Sequence, residues 1–418
     1  MYCGACAHDA TLLRGLLKRG HDVTIIPLYT PLKIDADGAL PATHVFMGGI
    51  NAYLQQNLGF FRHTPGFLDR LFDSPALLRW ASSFAVKTDP ADLGPMTVSV
   101  LQGKDGRQRK ELEKLLEFIE SGPRPDMVSI TNSLLSAVAP VVKERLGVPV
   151  ACLLQGEDSF VEGMVEPYRT QARDLMRRNA EFIDLFLAPS KAHAEKMEEF
   201  LAVSPAKLKL VRLGIDAEAF AGDRHSPGKP FRIGYLSVIN PSKGLDMLVD
   251  AFIGLAEQRD DVVLRVVGRV LDKRYFREQI EKIERTGLSA RFEHLGEVAF
   301  DDKVRFLHEC DVYCQPSRIA ESRGVASLEA MAAGLPVVVP ESGIYPELLE
   351  LTSGGYAFTP RSTESLIARL REVLNDPDDA RTVGARAAEG VRKHFSAERM
   401  VEETEAAYLA LVERGAGR

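Results

Sequence analysis

The chain has 418 residues, more than a single hydrophobic core usually fills, so two domains are expected. Lysine and arginine number 52 against 59 aspartates and glutamates. The resulting net charge of −7 argues against nucleic acid as the main partner, because a phosphate backbone needs a basic surface. With 45% hydrophobic and 27% charged residues the composition is globular, and 33 glycines with 23 prolines are too few for a collagen or a low-complexity chain.

No apolar run approaches the ~18 residues that cross a bilayer. The opening MYCGACAHDA lacks a basic region followed by an apolar one, so a cytoplasmic protein is expected. The five cysteines are Cys3, Cys6, Cys152, Cys310 and Cys314, an odd number that argues against a disulfide framework. Cys3 and Cys6 have the spacing of a redox pair, but no strand precedes them. Cys310 and Cys314 bracket an apolar run and read as core. There is no second C-x-x-C and no histidine pair at zinc spacing. The Asp-x-Asp pairs at residues 35–37 and 376–378 sit among turn residues and read as solvated loops, so no metal site is expected.

Apolar runs alternate with helical patterns along the chain, which predicts βαβ units and parallel sheets. A helix is expected over residues 9–19, with His8 near its start. Strand-like runs follow at 22–27 (DVTIIP), 97–101 (TVSVL), 126–130 (DMVSI), 148–153 (VPVACL), 182–188 (FIDLFLA) and 208–213 (LKLVRL). Residues 108–121 read as an amphipathic helix with Leu112, Leu115, Leu116 and Ile119 on one face. Residues 59–86 carry six Phe or Trp among 28, together with Arg62, Arg70 and Arg79. They read as a helical lid on the first sheet, or as an acceptor-side surface that would allow peripheral membrane contact.

Residues 222–230 (GDRHSPGKP) are short, polar and aperiodic, and read as a linker. Six further strand-like runs follow, at 231–236, 262–267, 291–295, 311–314, 336–339 and 356–358, with helices between most of them. That pattern predicts a doubly wound parallel sheet. The tail from 378 to 413 reads as two helices broken near Phe395, with Ser396 as N-cap of the last. The expected division is a domain over 1–221, the linker 222–230, a domain over 231–395, and a final helix over 396–418.

The chemistry concentrates between Tyr313 and Pro340, in YCQPSRIAESRGVASLEAMAAGLPVVVP. A strand ends near Cys314, a polar loop follows over 316–323, and a helix runs from about Gly324 to Ala333 with Gly334 as its C-cap. Ligands of open α/β sheets bind beyond the carboxyl ends of the strands, which places this loop at the ligand edge. Gly324, Val325 and Ala326 are small enough to let a ligand approach the free N–H groups of the helix start, where an anion such as phosphate is favoured. Glu321 and Glu329, eight residues apart, add carboxylates. Carboxylates beside a phosphate site are unfavourable unless the ligand supplies hydroxyls, and a nucleotide sugar supplies them as a ribose diol and a polyhydroxylated ring. The loop after 231–236 contains Asn240 and ends in Lys243-Gly244, with a lysine suited to a diphosphate at the mouth of the next helix. A glutamate or lysine alone is ordinarily solvated; the combination carries the reading.

The Glu321–Glu329 segment resembles the E-x7-E segment of retaining family 4 glycosyltransferases of GT-B fold, as do the Lys243-Gly244 loop and residues 211–216 (VRLGID). The resemblance is specific through residues 231–358 and weak before about residue 145. It implies an α/β fold of two Rossmann-like doubly wound domains facing across a cleft. The acceptor would sit on the first domain and the nucleotide sugar on the second, with the last helix packing back towards the first. It implies that Glu329 binds the donor ribose, that Glu321 contacts the transferred sugar, and that Lys243, Gly324 and Val325 bind the diphosphate. Arg323 and Asn240 join the donor side, and Gly4, His8 and Gln155 the acceptor side; Glu321 and Lys243 are the expected catalytic pair. The implied activity is a metal-independent hexosyl transfer to a glycan, lipid or small-molecule acceptor, with no cofactor. The alternatives are a GT-B-fold epimerase or phosphorylase, or a non-catalytic nucleotide-sugar-binding subunit.

The sequence departs from that family pattern in three places. The usual arginine five residues before the lysine is Val238, for which Arg323 is the candidate substitute. The usual histidine in a segment like 153–158 (LLQGED) is Gln155. The usual Gly-Gly loop after a first strand is matched only by Gly4-Ala5. No strand-like run precedes the first helix either, so Met1 reads as an internal start with roughly ten residues of apolar strand upstream. The expectation is an empty slot, ~9–10 Å wide, between the runs at 22–27 and 126–130, unless the segment 44–47 fills it.

Overall fold

The computed structural model describes residues 4–26, 28, 90–223 and 230–416. They fall into two compact units. One gathers residues 190–192 and 212–400; the other takes the described residues before 190, together with 193–211 and 401–416. The expectations for 59–86, for the Asp-x-Asp at 35–37, for the segment 44–47 and for most of the linker lie outside the described residues. Among the described residues, no helix is long and apolar enough to cross a membrane.

In the second of these units, β1 (Val128–Ile130), β2 (Val150–Leu153), β3 (Leu185–Ala188) and β4 (Leu208–Leu210) form a parallel sheet in chain order. β2 and β3 are buried at every residue, as near-continuous apolar runs require when helices cover both faces. The predicted amphipathic helix is present as Arg109–Ser121, burying Leu112, Leu115 and Leu116. The opening helix is longer than expected, Gly4–Lys18.

Two predicted strands of this half are not strands. Residues 97–101 lie inside the helix Pro90–Leu101, which packs on the helix Tyr168–Ala180, with Gly94 directly against the Tyr168 ring. A short apolar run has no period of its own, and Pro90 at the first helical position suits a helix start. Residues 22–26 form no strand either. β propensity reports the fit to a paired surface, and no partner strand takes this run among the described residues. Among the described residues the expected slot is flanked by one strand, β1.

The other unit carries a six-stranded parallel sheet: β5 (Phe231–Leu236), β6 (Val262–Val267), β7 (Phe292–His294), β8 (Val312–Cys314), β9 (Val337–Pro340) and β10 (Gly355–Phe358). Its order is β10-β9-β8-β5-β6-β7. The chain begins in the middle at β5, winds out to β7, returns to β8 beside β5, and winds out the other way, which is the doubly wound order. The crossover helices are Leu245–Ala256, Lys273–Arg285, Phe300–Glu309, Val325–Ala332 and Tyr345–Thr352. Cys310 and Cys314 are fully buried, as expected of core residues. Gly334 follows its helix with φ +80°, its N–H bonding Met331 O at 2.9 Å while Leu335 N bonds Ala330 O at 3.0 Å. That pair of bonds is a Schellman closure, which satisfies carbonyls the helix end leaves free.

The tail forms the helices Pro377–His394 and Ala397–Ala416, broken where expected. Ser396 Oγ accepts from Arg399 N at 3.3 Å, as an N-cap should. Asp376, read as part of a solvated loop, is instead the N-cap of Pro377–His394, accepting from Asp379 N at 2.9 Å.

Candidate functional site

In the six-stranded sheet the winding direction reverses between β5 and β8, so the loops leaving their carboxyl ends emerge side by side. The loop after β5 runs through Val238 and Asn240 to the short turn Pro241–Lys243; the loop after β8 runs through Gln315 and Ser317 to Glu321 and Gly324. The two loops are locked together. Gly244 has φ +73°, and a Cβ there would lie 1.9 Å from Pro316 O, so only glycine serves. Arg318 N donates to Ser242 O at 2.9 Å, and the Arg318 side chain pairs with Asp246.

Lys243 and Glu321 are brought into contact by this packing, Nζ to Oε1 at 2.5 Å. Ser317 Oγ donates to the same carboxylate oxygen at 2.8 Å, and Gln315 Nε2 reaches it at 3.4 Å. Gln315 is held in turn by Tyr313 OH at 2.6 Å. All these bonds fall on Oε1, and among the described residues Oε2 of Glu321 makes none. The Glu321 carbonyl accepts from Ile344 N at 2.8 Å, fixing the loop from behind.

Gly324 stands ahead of the helix Val325–Ala332 with φ +60°, and carries no side chain to cap it. The first-turn amides, Val325 among them, therefore keep the anion affinity of an open helix start. Arg323, one residue earlier, is partly buried and takes part in interactions of its own next to the helix start. The Val238 carbonyl accepts from Tyr235 OH at 3.3 Å. Asn240 Oδ1 accepts from Ser242 Oγ at 2.7 Å, which orders the loop leading to Lys243.

Glu329 lies in the second turn of the same helix. Its Oε1 accepts from Lys303 Nζ at 2.6 Å, and among the described residues Oε2 is left without a partner. Burial pushes the Glu329 carboxyl above the ordinary carboxylate range, and the Lys303 ammonium opposes that shift. Lys303 was not singled out by sequence reasoning. The available signal was its place in FDDKVRFLHE, on the buried face shared with Phe306 and Leu307, where a lysine needs a counter-charge.

The acceptor-side candidates belong to the four-stranded unit. Gly4 opens the first helix. His8 Nδ1 lies 3.0 Å from Asp9 Oδ1. Gln155, just past β2, donates from Nε2 to Thr131 O at 2.6 Å. Next to it is a residue the sequence reading passed over. Glu157 is buried, accepting from Gln155 N at 2.7 Å and Ser133 N at 2.8 Å, so it ties together the loops that follow β1 and β2. Burial raises its pKa, and the backbone bonds pull the other way. Two adjacent acids directly after a strand, Glu157 and Asp158, were the sequence signal. No described contact joins His8 to Gln155. Among the described residues, no group of three or more His, Cys, Asp or Glu is placed to hold a metal.

Residues 6–214 match the family described as glycosyl transferase 4-like domain, and residues 216–390 match glycosyl transferases group 1. The sulfoquinovosyl transferase of Arabidopsis thaliana is 30% identical over 225 residues, 50% of this chain and 42% of that one. The phosphatidyl-myo-inositol mannosyltransferase of Mycobacterium leprae is 36% identical over 155 residues, 37% of this chain and 40% of that one. The matches thus span well under half the length of these two curated relatives. Among solved structures, Anabaena HepE in complex with UDP and glucose superposes with a TM-score of 0.62 at 22% identity, covering 72% of this chain and 82% of that one. Sucrose-phosphate synthase from Thermosynechococcus elongatus gives 0.62 at 19% identity, covering 73% and 79%. These likenesses show a fold of two Rossmann-like domains, the GT-B fold.

Proposed function

We infer that the chain, which belongs to the family 4 glycosyltransferases of GT-B fold, transfers a hexose from a nucleotide-diphosphate donor to a hydroxyl of a glycan, lipid or small-molecule acceptor, retaining the anomeric configuration. The observation that carries the reading is the meeting of Lys243, the Glu321 carboxylate and the uncapped helix start at Gly324 at one switch point. Lys243 and the first-turn amides of Gly324 and Val325 take the diphosphate and stabilise its charge as it leaves. Charge neutralisation by these groups means the reading needs no metal ion. Glu321 accepts from hydroxyls of the transferred sugar, and Glu329 from the ribose diol. Asn240 orders the lysine loop, and Arg323 stands at the helix start. The acceptor attacks from the face the diphosphate leaves and gives its proton to that leaving group, so no side-chain nucleophile is required. Gly4, His8 and Gln155 are assigned to the acceptor side.

The comparisons support a nucleotide-sugar donor. HepE is described in complex with UDP and glucose, and the mycobacterial relative is named for mannosyl transfer and phosphatidyl-myo-inositol. Both curated relatives described above are transferases, which leaves the epimerase, phosphorylase and non-catalytic readings without support. The test is nucleotide release from UDP-, GDP- and ADP-hexoses with and without candidate acceptors, beside a thermal-shift screen of the same compounds. A donor at 100 times its Kd stabilises by ~2.7 kcal/mol. Release that depends on acceptor supports transfer. No thermal shift with any nucleotide or nucleotide sugar sinks the reading.

A further inference from the structure

The Phe300–Glu309 helix, which joins β7 to β8, contributes a cation to the site from outside both ligand loops. Lys303 is 8% exposed, yet it carries an ammonium. Its Nζ lies over the Phe220 ring at 5.2 Å and over the Phe300 ring at 5.1 Å, and the two rings meet edge to face with centroids 5.4 Å apart. Ring faces attract a cation and exclude water from it. Phe220 is itself buried, so the cage is fixed. Inside it, Lys303 Nζ donates to Glu329 Oε1 at 2.6 Å.

This arrangement has more parts than a salt bridge needs. Desolvating two charges is expensive, and an apolar pair of the same volume would hold the fold as well. What an apolar pair would not do is keep a carboxylate ionised and in one rotamer. With Oε1 held by Lys303, the remaining oxygen, Oε2, is the acceptor available to a ligand.

We propose that Lys303, caged by Phe220 and Phe300, is a positioning residue for nucleotide recognition, holding Glu329 charged and oriented so that Oε2 accepts from the ribose hydroxyls of the donor. This rests on the reading of Glu329 as the ribose-binding residue. Lys303 itself does not touch the ligand. Its removal weakens only what the hydroxyls contribute.

The test compares UDP with 2′,3′-dideoxy-UDP by isothermal titration, on the full chain and its variants; if GDP or ADP gives the larger thermal shift, that nucleotide and its dideoxy form are used. A site built to bond hydroxyls rejects the analogue lacking them, so the wild type is expected to prefer the ribonucleotide by at least ~10-fold. A hydrogen bond to a charged group is worth roughly 1.5–3 kcal/mol, so Lys303→Met is expected to weaken the ribonucleotide by about 10-fold or more. The dideoxy form is expected to bind as before, and the preference to collapse to within about twofold. Lys303→Arg, which keeps the cation, is expected to restore most of the preference. A folded Lys303→Met that keeps the wild-type preference overturns the inference. If that variant does not melt cooperatively, Lys303→Gln is read in its place by the same criterion. A wild type that does not distinguish the two nucleotides overturns the ribose assignment of Glu329 itself, which is a separate and earlier failure.

Discussion

Lys243 and Glu321 hold each other in the free protein, so a diphosphate that takes Lys243 must compete with a carboxylate 2.5 Å away. The two glutamates are therefore expected to fail differently. Glu321→Ala releases Lys243, so donor KM stays level or falls while kcat drops, by at least ~10-fold if the carboxylate acts mainly in the transition state. With Glu329 in the proposed ribose role, Glu329→Ala is expected to remove a contact made alike in ground and transition states, raising donor KM and changing kcat less. Steady-state kinetics on the pair decide it, and the reverse ranking would exchange the two roles. Lys243→Ala is expected to cost at least ~10-fold in kcat/KM, since Val238 offers no second cation in that loop. Acid adds an independent check on Glu329. Its raised pKa means protonation begins above the ordinary carboxylate range, so donor affinity should fall on acidification at a pH where surface glutamates are still ionised. The stability term has the opposite sign. A carboxyl whose folded pKa is raised favours the fold below its unfolded pKa and loses that contribution as pH rises through the folded value. Affinity measured by titration should therefore decline with acid while the contribution of this group to the melting temperature rises.

The β5–Lys243 and β8–Glu321 elements make one site because Gly244 lets their loops touch. Gly244→Ala would place a Cβ 1.9 Å from Pro316 O at φ +73°, so both strain and collision oppose it. A cost of about 1–3 kcal/mol is expected for the backbone conformation alone, read as a lower melting temperature. Activity should fall further than stability, because the displaced loop carries Lys243. This half of the molecule was the legible half. Its strands read as unbroken apolar runs between helices, and β5 and β6 fall where their composition places them, at Phe231–Leu236 and Val262–Val267. The E-x7-E spacing marked Glu321 and Glu329 because both lie on one continuous loop and helix. The position of Lys303 on a buried helix face could be read, but its partners could not, since Glu329 lies on a different element and the aromatic cage takes Phe220 from a third. In the other half TVSVL misled, because four or five β-branched and apolar residues fit a buried helix as well as a strand. The helix that holds it packs on the helix Tyr168–Ala180, a long-range contact that local sequence does not encode.

At the scale of the molecule, the unit built on β1–β4 is completed by residues from the far end of the chain. Val401 packs directly against Gly15, Arg19 and His21 each bond Glu405 at 2.6 Å, and Tyr408 OH meets Ser129 Oγ at 2.7 Å. Val401 and Leu411 are both buried, and withdrawing two such side chains removes about 3–6 kcal/mol. A domain's whole stability is ~5–15 kcal/mol. Residues 1–222 produced alone are therefore expected to lack a cooperative melt, and the same fragment with residues 397–418 tethered to it should regain one. Retention of a sharp transition by the untethered fragment would show that the last helix is dispensable. The same feature sets an order of events during synthesis. Arg19 meets its partner only after 386 further residues have been made. At roughly 5–20 residues per second, that leaves the opening helix waiting on the order of 20–80 s on the ribosome, with the face that receives Val401 uncovered. The six-stranded unit has its whole sheet by then, so the half made first is the half finished last. A message broken anywhere before codon 401 yields a product with that face open, the kind of surface that chaperones and proteases read.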